Sequence, residues 1–130
     1  MRRAFELPEE DEECLAAGGF KWEAIVENKV TWLLIDEYPI PAGYNEKVVR
    51  LALRIPPSYP DEDIDMVYFS PALALTNGRA IRQLSSLVID GVQYQQWSRH
   101  RTQANPWRPG LDNVCTHLLQ VDTWLNRELK

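Results

Sequence analysis

Apolar residues stand at every second position through Val49, Leu51, Leu53 and Ile55, with Arg50 and Arg54 turned the other way. That period of two predicts a strand with one face on a core. Upstream, Trp22–Val26 and Val30–Ile35 also read as strands, and Glu27-Asn28-Lys29 is short enough to join them as a hairpin. Trp32, Leu33, Leu34 and Ile35 form an unbroken apolar run, so this strand is expected at the centre of the sheet, buried on both faces. Ile64–Phe69 adds a fourth strand. Near the end the spacing turns helical, at Leu111, Val114, Leu118, Val121 and Leu125, with Asp112 in the first turn and Arg127 and Lys130 at the close. A shorter helix is predicted over Pro8–Ala17, with a proline near its start and Gly18-Gly19 as its stop. The class is α+β: a four-stranded antiparallel meander packed on a C-terminal helix, with a short N-terminal helix.

Two stretches break the pattern. Tyr38-Pro-Ile-Pro-Ala-Gly-Tyr44 is dense in proline and glycine and reads as a structured excursion between strands. Residues 72–107 read mainly as a long loop, within which Arg79–Leu84 is assigned a short helix and Leu87–Ile89 and Val92–Tyr94 pair across Asp90-Gly91. A loop of that length in a small domain usually has a function.

With 130 residues, 45% of them apolar, the chain supports one domain over 1–130 with its own core. Its formal charge of −5 argues against nucleic acid, whose phosphates require clustered Lys and Arg. No apolar run approaches the roughly 20 residues that span a bilayer, and Met1-Arg-Arg-Ala-Phe-Glu-Leu-Pro-Glu-Glu10 turns acidic where a signal peptide needs an apolar core. A cytoplasmic location is expected. Two cysteines, Cys14 and Cys115, offer no disulfide framework and suit a reducing compartment. Neither they nor His100 and His117 have ligand-like spacing, so no metal and no cofactor is expected.

The segment Arg54-Ile-Pro-Pro-Ser-Tyr-Pro-Asp-Glu-Asp-Ile-Asp-Met-Val-Tyr-Phe-Ser-Pro71 carries one strand through a rigid proline turn into the next. It resembles the proline-rich turn of the ubiquitin-conjugating (UBC) fold, and Trp107-Arg-Pro-Gly110 before the last helix is similar to that family's Trp-x-Pro junction. Trp97-Ser-Arg-His-Arg101 followed by Trp107 and Asp112 resembles the bacterial branch, prokaryotic family E. The resemblance implies a ubiquitin-like protein and its activating enzyme as partners, within a bacterial conjugation pathway associated with antiphage defence.

Members of the wider family carry the modifier as a thioester on a cysteine shortly before that tryptophan, and this chain has none there. Aligned on Trp107, Ser98 falls within about one residue of the nucleophile position. A serine hydroxyl needs a base, and His100 is the nearest candidate. Side chains two apart on a strand sit roughly 6–7 Å apart, so a direct bond requires a turn in Trp97–Arg101. Arg99 and Arg101 are candidates for stabilising the oxyanion or receiving the modifier's tail. The family's His-Pro-Asn motif is absent, and Asn77 in Thr76-Asn77-Gly78 is the local candidate for its amide donor. Cys115 lies on the apolar stripe of the last helix and Cys14 follows several carboxylates, which places both behind Ser98 as carriers. His117 is expected at the surface or half-buried. Arg79, Arg82, Arg99, Arg101 and Arg108 face only Asp90, which concentrates positive charge on the long loop.

Two functions stay open. One is an acyltransferase carrying the modifier, as an oxyester on Ser98; the other is a catalytically inactive UBC variant that scaffolds the modifier or activating enzyme. An independent serine hydrolase lacks its Gly-x-Ser-x-Gly elbow.

Overall fold

Four carboxylates, Glu9, Glu10, Asp11 and Glu12, occupy the first turn of α1 (Glu9–Ala17) directly after Pro8, where the helix dipole favours negative charge. The chain, described over residues 1–130 by a computed structural model, then runs through β1 (Lys21–Glu27), β2 (Val30–Pro39), β3 (Val48–Ile55), β4 (Val67–Ser70), β5 (Leu84–Ile89), β6 (Val92–Trp97) and α2 (Val114–Glu128). The strands form one six-stranded sheet in the order β1-β2-β3-β4-β6-β5, every neighbouring pair antiparallel.

The sheet corrects the expected four strands. The fourth strand is shorter than predicted, beginning at Val67. The two extra strands come from the long loop, which is a hairpin closed by Asp90-Gly91, both at positive φ, as a two-residue type I′ connection requires. β6 lies against β4, so residues 71–83 carry the chain past it to the sheet edge. The short helix assigned to Arg79–Leu84 is absent: Arg79–Gln83 is irregular and Leu84 opens β5.

β2 is buried on both faces as its apolar run predicts, with Trp32, Leu33, Leu34 and Ile35 no more than 6% exposed. Leu33 and Ile35 join Leu51, Leu53, Phe69 and Trp97 in the main core beneath the helices. Trp32 and Leu34 face the other side, in a smaller cluster with Tyr68, Ile89 and Tyr94. The hairpin turn reaches β1 through hydrogen bonds: Asp90 N–H donates to Glu27 at 2.6 Å, and Arg2 binds both Asp90 oxygens at 2.9 and 2.6 Å.

The last helix starts later than the spacing predicts. Asn113 is its N-cap, accepting from Thr116 N–H at 3.0 Å while Thr116 Oγ1 accepts from Asn113 N–H at 2.8 Å, a reciprocal cap. Leu111 is therefore outside the helix and exposed, and Trp107 precedes the cap. Asp11 joins three elements, accepting from Val114 N–H at the head of α2 at 3.0 Å and from the Tyr59 hydroxyl at 2.7 Å. Trp107 donates its indole N–H to Pro60 O at 2.9 Å. The proline turn thus clamps the start of α2 to α1.

Cys14 and Cys115 are joined as a disulfide with Cα atoms 6.4 Å apart, which corrects the expectation that the two cysteines stay unpaired. Packing of α1 on α2 brings together residues 101 apart in sequence. His117 is fully buried, against the expected surface or half-buried position, donating Nε2 to Met66 O at 2.9 Å and meeting Trp124 edge-on. No helix is long and apolar enough to cross a membrane.

Candidate active site

β6 ends on Trp97, which is fully buried against Tyr44 and Phe69 and anchors the segment after it. Ser98 extends the ladder by one bond, its N–H donating to Gln83 O at 3.0 Å. The chain then bends, with Arg99 N–H returning to Trp97 O at 2.9 Å and Arg99 O accepting from Met66 N–H at 3.1 Å. Ser98 is half-buried at this bend and its hydroxyl makes no side-chain hydrogen bond.

The bend sends the next three side chains in different directions. Arg99 lies over Trp97 at 5.0 Å and pairs with Glu128 of α2 at 3.0 Å. His100 is exposed and sets Nδ1 2.9 Å from both oxygens of Asp65. Arg101 turns inward over Trp107, its side chain only 7% exposed and 3.8 Å from Asp112. Its Nε and Nη2 are buried without a partner. The turn that a direct Ser98–His100 hydrogen bond requires is present, but the bond is not made, and the imidazole faces Asp65.

Asn77 sits on a separate exposed turn. Its Oδ1 accepts from Arg79 N–H at 2.9 Å, and Thr76 is fastened to Gly43 O by N–H and hydroxyl at 2.9 and 3.1 Å. Arg79 reaches from this turn to the carbonyls of Glu128 and, at 2.8 Å, Lys130. The turn and the Ser98 bend thus converge on the C-terminal end of α2, with no hydrogen bond between Asn77 and Ser98. Burial and the Glu128 carboxylate push the neighbouring Tyr44 hydroxyl up to about 12, against opposing pulls from Arg99 and Arg79.

The loop arginines are less free than their sequence positions suggest. Arg99 is paired to Glu128, Arg79 caps α2, and Arg101 and Arg108 share Asp112. Burial opposes charge on Asp112, but Arg108 N–H, Thr116 and the two arginines hold its carboxyl below the usual range. Only Arg82 of the five makes no ion pair or hydrogen bond. Asp65, Gln83 and Glu128 are the site neighbours that sequence reasoning missed. Asp65 lay inside an acidic run with nothing to mark it, and Glu128 is opposite Arg99 only once α2 is docked. No group of three or more His, Cys, Asp or Glu side chains is gathered to hold a metal ion.

The family model for prokaryotic E2 family E matches residues 7–128. The chain belongs to that family. No curated protein and no solved structure matches it. Membership gives this α+β domain a ubiquitin-conjugating-like role and agrees with the order of proline turn, strands and final helix.

Proposed function

We propose that this prokaryotic E2 domain accepts a ubiquitin-like protein from its activating enzyme and holds it as an oxyester on Ser98 before transfer. The observation that carries this reading is the disposal of the thiols: Cys14 and Cys115 are bound to each other, which leaves the Ser98 hydroxyl as the candidate at the position the family implies. His100 supplies the base. With Nδ1 against Asp65, its neutral tautomer carries the proton there and leaves Nε2 able to accept one. Ser98 Oγ attacks the thioester carbonyl, the C–O bond forms, the C–S bond breaks, and the serine proton passes through His100 to the departing thiolate. The bend after Trp97 must rotate to bring Oγ to Nε2, since catalytic hydrogen bonds often close only with substrate present. Arg99, Arg101 and Asn77 hold the local frame in this reading. The pathway is bacterial, and the antiphage role belongs to the same proposal.

A second reading is favoured by one specific feature, the missing Ser98–His100 bond. The domain then binds the modifier or activating enzyme without carrying it. Incubation with activating enzyme, modifier and ATP separates the two: an adduct that survives thiol and is lost in Ser98→Ala supports transfer, whereas a stable complex without adduct supports the scaffold.

A further inference from the structure

The first helix has few attachments. Its nine residues bury only Asp11 and Leu15, and a helix that short does not persist in water without tertiary partners. Four carboxylates crowd its first turn and no basic side chain closes its last. Two features fasten it to the head of α2. Asp11 accepts from Val114 N–H at 3.0 Å and from the Tyr59 hydroxyl at 2.7 Å, and three residues later Cys14 is bonded to Cys115. The main core lies between the sheet and α2, through Leu33, Leu51, Phe69, Leu118 and Leu125, and α1 supplies it with one fully buried apolar side chain, Leu15.

The covalent attachment is open to exchange. Cys14 and Cys115 are both half-buried rather than enclosed, which gives a small thiolate access to the bond. The two sulfurs are not equivalent. Cys115 is the second residue of α2, where the helix N-terminus favours a thiolate, whereas Cys14 follows Glu9, Glu10, Asp11, Glu12 and Glu13, whose charge opposes one. Cys115 is therefore the better leaving group and Cys14 the sulfur attacked. A reduced Cys14 thiol also has an acceptor in place, Asp11 O at 3.2 Å from Sγ.

We infer that the Cys14–Cys115 pair is a thiol–disulfide exchange site that latches α1 to α2, opened by a dithiol and closed by a disulfide-forming oxidant. A thiolate of the dithiol attacks Cys14 Sγ; a mixed disulfide forms as the Cys14–Cys115 bond breaks and Cys115 leaves as thiolate. The reductant's second thiolate then displaces Cys14 from the mixed disulfide. The reductant ends as a disulfide, and its two electrons and two protons end on Cys14 and Cys115. With the latch open, α1 is held by noncovalent contacts alone, and each opening withdraws Asp11 from Val114 and Tyr59. The proline turn feels the change, since Tyr59 packs 6.1 Å from Trp107, which donates to Pro60 O. None of this depends on the conjugating role proposed above.

The test uses the intact oxidised domain, ¹⁵N-labelled, at neutral pH without denaturant. Millimolar dithiothreitol should reduce the bond, after which the amides of Glu12–Ala17 should exchange at least tenfold faster while those of β2 and β3 keep their protection. The Trp107 indole N–H resonance should shift on reduction, and diamide should restore both signals. Cysteamine in place of the dithiol should be found by mass on the Cys14 peptide after an acid quench. Cys14→Ser with Cys115→Ser should show the open pattern and no response to dithiol. Unchanged exchange in α1 on reduction, a bond that resists dithiol until denaturant is added, or loss of protection throughout the sheet overturns the inference. So does cysteamine captured on Cys115, or a response to dithiol that persists in the double variant.

Discussion

His100 Nδ1 sits 2.9 Å from both carboxylate oxygens of Asp65, a partner 35 residues earlier in the chain. The pairing fixes which ring nitrogen holds the proton and leaves the other toward solvent. If the imidazole is the base for Ser98, His100→Ala should slow adduct formation by about 10² to 10⁴ without weakening association. Asp65→Asn should slow it less and leave the fold intact. Rapid-quench adduct formation checks both, and an unchanged rate in His100→Ala removes the base from the account.

His117 should make the domain sensitive to acid. Burial, and then the nearby Arg101 charge, depress its pKa from 6.5 to about 4, against the raising effects of the Met66 carbonyl, Asp65 and Asp112. The unfolded chain therefore binds a proton first as pH falls. The stabilisation is complete above pH 6.5 and is lost on the way down to about pH 4. At about 1.4 kcal/mol per pH unit, the loss is about 3 kcal/mol. Asp11 acts oppositely: burial raises its carboxyl above the ordinary carboxylate value despite the Val114 and Tyr59 bonds, so its contribution is present in acid and is lost as pH rises through its raised pKa. Urea melts from pH 7 to 4 should show the decline, and His117→Gln should flatten it.

Arg99 should behave as a structural residue. Its pairing with Glu128 and its seat on Trp97 mean that Arg99→Glu places like charges together and should cost about 1 kcal/mol or more of stability. The melting temperature checks this. Arg82→Glu, with no partner to lose, should leave it unchanged.

The Cys14–Cys115 bond links the only two cysteines across 101 residues. The non-reduced protein should weigh two hydrogens less than the reduced form, with one cross-linked peptide joining α1 to α2. Cys14→Ser with Cys115→Ser should lower stability by a few kcal/mol, since closing so long a loop restricts the unfolded chain. An intact mass with two free thiols contradicts the pairing.

Local pattern made β1, β2 and β3 legible, because alternation and the Trp32–Ile35 run depend only on neighbours. The Asp90-Gly91 turn was legible too, since its residue types fit a tight hairpin. Placing β6 beside β4 was not, because the Val67–Trp97 register rests on tertiary packing. The late start of α2 depended on the Asn113–Thr116 cap, which the apolar spacing does not contain. The same holds at the site. Ser98, Arg99, His100 and Arg101 were visible as a cluster, but their divergence was decided by Glu128, Asp65 and Asp112, each brought in by the fold.

The oxyester is tested most directly by the adduct itself. With activating enzyme, modifier and ATP, the domain should gain one modifier in a linkage that survives thiol reductant and is cleaved by mild base, absent in Ser98→Ala and retained in Cys115→Ala. An adduct that Ser98→Ala retains, or one that thiol releases, contradicts the account.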